Sequence, residues 1–345
     1  MARPHQSSAS SVVAVVIPAY RASSTIRAVV EDSLRVADVV FVVDDRCPER
    51  CGDLVQDVPD VHVIRHDVNR GVGGATKTGI AAAIAHGADI IVKVDSDGQM
   101  DASYVPRMVE VLESHTDVDM VKGNRFAHAA TLAAMPPLRL IGNAGLTLLV
   151  KFSSGYWTIV DPTNGFVAVR SDAFESIDLR SLADRYFFEI DLLCALGLRK
   201  RGIAEMEMPA RYAGEHSSLS ISRVLLSFPP RLFTRFVKRL LVNYVVTELN
   251  VASLCALIGI PMLVFGTAFG AHEWAISAAT GVSRPTGTIV LALLLFMLGF
   301  QLTLQALLYD VQFGVRTLKV ARAHRRGRKD SPAAEPESGP VPARR

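Results

Sequence analysis

Two carboxylates one residue apart, Asp95 and Asp97, directly follow the apolar run Ile90–Val94 in the segment Val94-Asp95-Ser96-Asp97-Gly98-Gln99. A hard divalent cation takes oxygen ligands and keeps positions open for phosphate oxygens, and a D-x-D at the end of a buried strand can supply that arrangement. An isolated D-x-D is often only a solvated turn. Here a second carboxylate pair, Asp44-Asp45, ends another β-branched run, Val39–Val43, and raises the metal and phosphate reading above that alternative. Between the two pairs, Asn69-Arg70-Gly71-Val72-Gly73-Gly74-Ala75-Thr76-Lys77 places three glycines ahead of a helical stretch. Backbone can approach a ligand at such a run, and helix N-terminal amides can face an anion. Its spacing is neither that of a P-loop nor G-x-G-x-x-G, so alone it reads as a turn.

These residues need strands to carry them. Val12–Ile17, Val39–Val43 and Ile90–Val94 are short apolar runs that read as buried parallel strands. Helical stretches Ser24–Ala37 and Ala75–Ala85 alternate with them, as in an open α/β sheet. Ligands of such sheets bind beyond the carboxyl ends of the strands, where both acidic pairs fall.

Beyond this domain the chain changes character. Residues 249–271 and 285–309 carry no charge, and each run is long enough to cross a hydrocarbon core of roughly 30 Å as a helix. The short connector His272–Arg284 makes them an antiparallel hairpin. Arg231, Arg235, Lys238 and Arg239 precede the pair, and Arg316, Lys319, Arg322, Arg325, Arg326, Arg328 and Lys329 follow it. By the positive-inside bias, the catalytic domain and both termini are expected in the cytoplasm. Leu232, Phe233, Phe236, Val237, Leu240, Leu241 and Tyr244 recur at helical spacing among the first basic group, which predicts a helix lying in the membrane interface. The expected organisation is a disordered 1–11, an α/β domain over 12–228, the interfacial helix over 229–247, the hairpin within 248–312, and a basic disordered tail over 313–345.

The balance of 37 basic against 34 acidic residues, a net charge of +3, argues against a nucleic-acid binder. Cys47, Cys51, Cys194 and Cys255 form no disulfide framework, so the soluble part is expected to be reduced. Cys47 and Cys51 read as loop thiols. A zinc site is the lesser reading, because no further ligands stand at suitable spacing.

The ordered series Val16-Ile17-Pro18-Ala19-Tyr20, Val43-Asp44-Asp45, Asn69 to Ala75, Asp95-x-Asp97-Gly98-Gln99, Lys122-Gly123-Asn124-Arg125 and Asp161-Pro162-Thr163-Asn164-Gly165-Phe166 resembles glycosyltransferase family 2. Within it, the similarity is to the polyprenyl-phosphate (dolichyl-phosphate) mannose and glucose synthases, over about residues 12 to 220. The resemblance implies a GT-A, Rossmann-like α/β fold that transfers a hexose from a UDP- or GDP-hexose to a polyprenyl phosphate with inversion. Pro18, Ala19, Tyr20 and Asp44 would hold the nucleoside, with Asp45 near the ribose. Gly73, Lys77 and Ser96 would lie on the same nucleotide-sugar side. Asp95, Asp97 and Gln99 would surround Mg2+ or Mn2+. Arg125 and Arg139 would grip the acceptor phosphate, a task that suits guanidinium forks. Arg211 would close over the donor, and Asp191, with Glu189, would help orient the sugar or be structural.

Membrane lipid is an expected partner, and the hairpin is where self-association would occur. A processive synthase would show Q-x-x-R-W and more spans, and this chain has neither. A transferase acting on a hydroxyl acceptor and a catalytically silent membrane scaffold remain as alternatives.

Overall fold

Short β-branched runs that end on Pro or Asp form the central strands. The structure, a computed structural model, describes residues 11–126, 137–209, 221–315 and 317–320, the side chains of 137–139 and 221–226 excepted. Strands β1 (Val13–Ala19), β2 (Val39–Asp44), β3 (Val61–Arg65) and β4 (Ile90–Lys93) are mutually parallel. Because side chains alternate across a strand, Val13, Val15, Ile17 and Ala19 of β1 join one core and Ala14 and Val16 the other. The first core is covered by α1 (Ile26–Leu34) and the second by α2 (Val72–His86), while α3 (Val105–Ser114) closes the first. The expected strands and helices are all present, with ends shifted by a few residues.

The second half of the sheet turns the chain round. β5 (Met120–Asn124) and β6 (Val167–Arg170) pair antiparallel, and β6 also pairs antiparallel with β4, so the sheet runs β3-β2-β1-β4-β6-β5-β7-β8. Here β7 is Ile203–Glu207 and β8 is Thr317–Val320. Reversal of β6 brings the segment before it, Asp161–Phe166, to the edge where β1, β2, β4 and β5 end. Helices α4 (Pro137–Ser154), α5 (Ser171–Glu175) and α6 (Phe188–Leu198) fill the connections.

The next helix, α7 (Ile221–Leu241), begins earlier than the expected interfacial helix and ends in a π-helical turn, Val242–Thr247. Phe233, Val237 and Leu241, one turn apart, point outward. Two of its basic residues do not. Arg235 turns in to Asp191, and Arg239 is buried against Asp310, because each meets a buried carboxylate that needs a counter-charge. The outward face is therefore apolar, with Lys238 and Arg231 exposed at its flanks.

Helices α8 (Val251–Thr280) and α9 (Thr286–Phe313) form the antiparallel pair. Both are long and apolar enough to cross a membrane, and their apolar side chains are largely uncovered by protein, unlike those of a core helix. Their connector is shorter than expected, since α8 continues to Thr280. Glycines set the crossing: a Cβ on Gly259, Gly266 or Gly299 would lie within 3.0 Å of the facing helix's backbone. At the end of α9, Asp310 accepts from Arg239, Trp157 Nε1 and Tyr244 Oη. The chain then re-enters the sheet, with β8 pairing parallel to β7. This corrects the expectation of disorder for 313–345 at residues 317–320. The same expectation for residues 1–10 and 321–345 lies outside the described residues.

Arg239→Met would leave Asp310 buried without its cation, a loss of about 3–5 kcal/mol. A fall in the thermal unfolding midpoint of detergent-solubilised protein is expected, partly recovered in Arg239→Met/Asp310→Asn. An unchanged midpoint would show that the pair does not hold the hairpin to the domain.

Candidate active site

Strand direction assembles the site. The switch point of the sheet lies between β1 and β4, where the chain, after building outward through β2 and β3, returns to the other side of β1. Crevices at such points receive ligands. Lys93 of β4 is in register with Val167 of β6, and Val167 with Lys122 of β5. Residues just beyond these positions, Asp95 to Gln99, Asn164-Gly165 and Arg125, therefore share one edge.

Two lysines inside the strands organise the carboxylates there. Lys93, almost fully buried, places its Nζ 2.5 Å from Asp95 Oδ1 and 3.1 Å from Glu189 Oε1. Burial by itself would lower the pKa of this lysine, but the two carboxylates outweigh it and the net shift is upward. Gly165 roofs the trio: a Cβ there would sit 2.6 Å from Lys93 Nζ and 3.2 Å from Asp95 Oδ2. Lys122, wholly buried, donates to the Asn164 carbonyl. Burial lowers its pKa to about 8, with Asp161 and Glu189 only partly compensating. Arg125 forks onto Asp161, Nε to Oδ2 at 2.8 Å and Nη2 to Oδ1 at 3.1 Å. Glu205 in turn accepts from the amides of Val160 and Asp161. The guanidinium is thereby aimed by a buried carboxylate.

The loop after β4 is half-buried. Asp97 Oδ1 accepts from Gln99 N at 3.0 Å, and the buried Ser96 offers its carbonyl to Thr25 Oγ1 at 2.6 Å. Across the switch point, Pro18 and Ala19 are buried at the end of β1, while Tyr20 is exposed with the Arg21 guanidinium 5.5 Å from its ring centre. The turn is open at Tyr20.

Several expected ligand contacts are instead internal to the protein. Asp44 accepts from Cys47 N and Gly52 N. Asp45 accepts from Arg70 N and Gly71 N and meets His66 Nδ1 at 2.7 Å, so it fixes the glycine loop. The glycines serve packing: a Cβ on Gly73 would lie 2.4 Å from Ala183 O, and Gly74 N donates to Asp184 O. Lys77 is held by Leu182 O and by Asp184 Oδ1 at 2.6 Å. Asp191 faces away from Glu189, bound to Arg235 and Ala183 N, which makes it a positioning residue. Arg139 lies in the first turn of α4, its side chain outside the described residues, and Arg211 lies outside them altogether.

Comparison with known proteins gives these groups a common setting. The sequence profile of the family described as Glycosyl transferase family 2 matches residues 14–178. An uncharacterized protein of Methanocaldococcus jannaschii is 32% identical over 185 residues, 52% of this chain and 72% of that protein. A UDP-N-acetylglucosamine–dolichyl-phosphate N-acetylglucosaminyltransferase of Methanococcus voltae is 26% identical over 66% of this chain and 96% of its own length. An undecaprenyl-phosphate mannosyltransferase of Micrococcus luteus is 29% identical over 44% of this chain and 63% of its own length. The chain belongs to glycosyltransferase family 2. Its sheet is the GT-A fold, with the apolar helix pair appended.

In this family 2 glycosyltransferase, Lys93 is absent from the motifs of the sequence reading, and Lys122 stands there only as part of Lys122-Gly123-Asn124-Arg125, with no role of its own. A signal existed for Lys93. It stands two residues before Asp95, on the same side of a strand whose neighbours are all apolar. A cation in that position needs a carboxylate.

Lys122 gives a pH test. Its folded pKa of about 8 lies below its ordinary 10.5. Between those values the unfolded chain binds the proton and the folded protein does not, so this group makes stability rise with pH across that window. Lys93, shifted upward, pulls the other way only above its ordinary value. The midpoint of wild type relative to Lys122→Met is expected to climb from pH 8 to pH 10; a difference independent of pH would overturn the lowered value.

Proposed function

We propose that this glycosyltransferase moves a hexose from a UDP- or GDP-hexose onto a polyprenyl phosphate, inverting the anomeric carbon, at the cytoplasmic face of a membrane. The observation that carries the reading is an exposed apolar surface: Leu140, Ile141, Leu148 and Leu149 of α4, which packs beside α7 with its outward Phe233, Val237 and Leu241. Such a surface on a helix whose first turn includes Arg139 suits an acceptor with a charged head and a long apolar tail. The pairing of β8 with β7 supports both outer ends of the hairpin lying on the catalytic side, where the basic flanks favour the cytoplasm.

The donor set fits a hard divalent cation. Asp95 and Asp97 offer carboxylate oxygens in a half-buried loop, Gln99 adds an amide, and Lys93 already offsets part of the negative charge. Mg2+ or Mn2+ held there would neutralise charge developing on the departing nucleoside diphosphate. The protein supplies the rest. Tyr20 and the Pro18-Ala19 turn border the nucleoside end, and Arg125 is aimed by Asp161. The family resemblance assigns Arg125 and Arg139 to the acceptor phosphate and Arg211 to the donor.

Glu189 discriminates between acceptors. A hydroxyl acceptor needs a general base, and a carboxylate ion-paired to a buried lysine is a poor one. A phosphate monoester is already an oxyanion and can attack in line without it. Glu189→Gln is therefore expected to keep transfer within several-fold, whereas a hydroxyl-directed enzyme would lose about 100-fold or more.

The direct test is transfer of radiolabelled sugar from a panel of UDP- and GDP-hexoses into lipid, with purified full-length protein, undecaprenyl phosphate and Mg2+ or Mn2+. One donor is expected to give a mild-acid-labile lipid product. Asp97→Ala should reduce it about 100-fold or more, and Arg139→Ala should mainly raise the KM for the polyprenyl phosphate. Absence of lipid product from every donor, with nucleotide binding intact, would favour a different acceptor or the scaffold alternative.

A further inference from the structure

The segment after β2 holds a group of side chains with no part in the transfer chemistry. Arg46 and Arg50 both adopt left-handed backbone, at φ 56° and 52°. The chain folds back between them so that Cys47 Sγ and Cys51 Sγ approach to 2.8 Å. Both sulfurs are buried and neither is in a disulfide. Three consecutive amides of the turn after β1 point at this segment. Arg21 N donates to Cys47 Sγ at 3.1 Å, Ala22 N to Cys51 Sγ at 3.2 Å, and Ser23 N to Glu49 Oε2 at 3.2 Å. That turn continues directly from Pro18-Ala19-Tyr20.

A zinc ion would be the obvious occupant of two thiols and a carboxylate whose donor atoms lie within 4.8 Å of one another. The sulfur separation argues otherwise. Two thiolates on a tetrahedral zinc stand about 3.8 Å apart, given Zn–S bonds of about 2.3 Å, so the sulfurs would have to separate, whereas a bond between them needs further approach only. We propose that Cys47 and Cys51 are a dithiol that a hydroperoxide closes reversibly to a disulfide, loosening the Arg21–Ser23 turn and with it the grip on the nucleotide. The second half rests on the proposed nucleotide site; the first does not.

The two sulfurs are unequal in access: Cys51 is wholly enclosed, while Cys47 keeps a small exposed area. Hydrogen bonds from Cys51 and from the Arg21 amide favour the Cys47 thiolate. Cys47 is therefore the nucleophile. Its thiolate attacks one peroxide oxygen, the O–O bond breaks, and hydroxide leaves to give the sulfenic acid. Cys51 sulfur then attacks Cys47 sulfur, forming the S–S bond and expelling a second hydroxide. The two thiol protons convert both hydroxides to water; with an organic hydroperoxide the first leaving group is an alkoxide, which is protonated to the alcohol. In a reducing compartment the resting form is the dithiol and the disulfide is transient.

The test uses the full-length protein carrying Cys194→Ser and Cys255→Ser, treated with hydrogen peroxide. Loss of two alkylatable thiols with a mass decrease of two hydrogens is expected, reversed by dithiothreitol and absent in Cys51→Ala. Hydrogen exchange at the amides of residues 21–23 should accelerate on oxidation, and affinity for UDP or GDP should fall several-fold and return on reduction. Cys51→Ala, still folded by circular dichroism, should show neither response. No linkage, or formation of a sulfinic acid on Cys47 alone, would overturn the dithiol. Linkage with unchanged exchange at 21–23 would overturn the coupling to the turn. Faster exchange without any nucleotide binding in the reduced enzyme would instead count against the proposed transferase site.

Discussion

Placing Asp95 and Glu189 together at the end of a buried sheet requires a cation, and Lys93 supplies it from within β4. A strand interior is an expensive place for an ammonium group, tolerable only because two carboxylates and the low-dielectric surroundings strengthen the attraction. Much of the edge follows from this charge. Gly165 leaves the trio its space, since a Cβ there would press on the Lys93 ammonium. The Asp161–Phe166 segment must then be pinned from other directions, which Lys122 does through the Asn164 carbonyl and Arg125 does through Asp161. Remove the lysine and two neighbouring carboxylates would repel each other, so the D-x-D would no longer be presented in one orientation.

A second set of charges joins this site to the apolar helices. Arg239 on α7 and Asp310 on α9 are 71 residues apart in sequence yet share two hydrogen bonds in a buried setting that also engages Trp157 and Tyr244. Arg235, one turn before Arg239, holds Asp191 on α6, and α6 also carries Glu189. The helix that turns an apolar face outward is thus linked, through one ion pair each way, to the hairpin and to the helix bearing part of the active site. β8 adds a backbone tie by extending the sheet beyond β7. These ties fix the α/β domain relative to the apolar helices, which the proposed transfer to a lipid-borne acceptor would use.

The sequence disclosed the strands and the acidic edge well, because apolar runs ending at Asp44 and Asp95 obey the simple rule that buried strands carry no charge until they emerge. It disclosed the pairing of charges poorly. Arg235 and Arg239 looked like headgroup-facing residues, since their spacing relative to Phe233 and Val237 is what an interfacial helix would have, and nothing local names Asp191 or Asp310 as partners. Asp310 was the clue that could have been used: a carboxylate at the end of an uncharged span needs a partner. Thr317–Val320 was hidden for a different reason. Four residues inside a basic tail give no periodic pattern, and only the open edge of β7 makes them a strand.

The carboxylates along this edge differ in what they meet. Asp44, Asp45, Asp161, Asp191 and Glu205 each accept from at least one backbone amide and are buried or nearly so. Each of the five thereby holds the loop its amide donor belongs to. Asp95 and Glu189 are different, since their partner is the buried ammonium of Lys93. Asp97 lies in the same half-buried loop as Asp95. Sequence places Asp44-Asp45 and Asp95-x-Asp97 on equal terms, as acidic pairs at strand ends. What separates them is burial: Asp44 and Asp45 are enclosed among the amides of their own loops, whereas Asp95, paired to Lys93, and Asp97, on the Gln99 amide, stay half-buried at the edge.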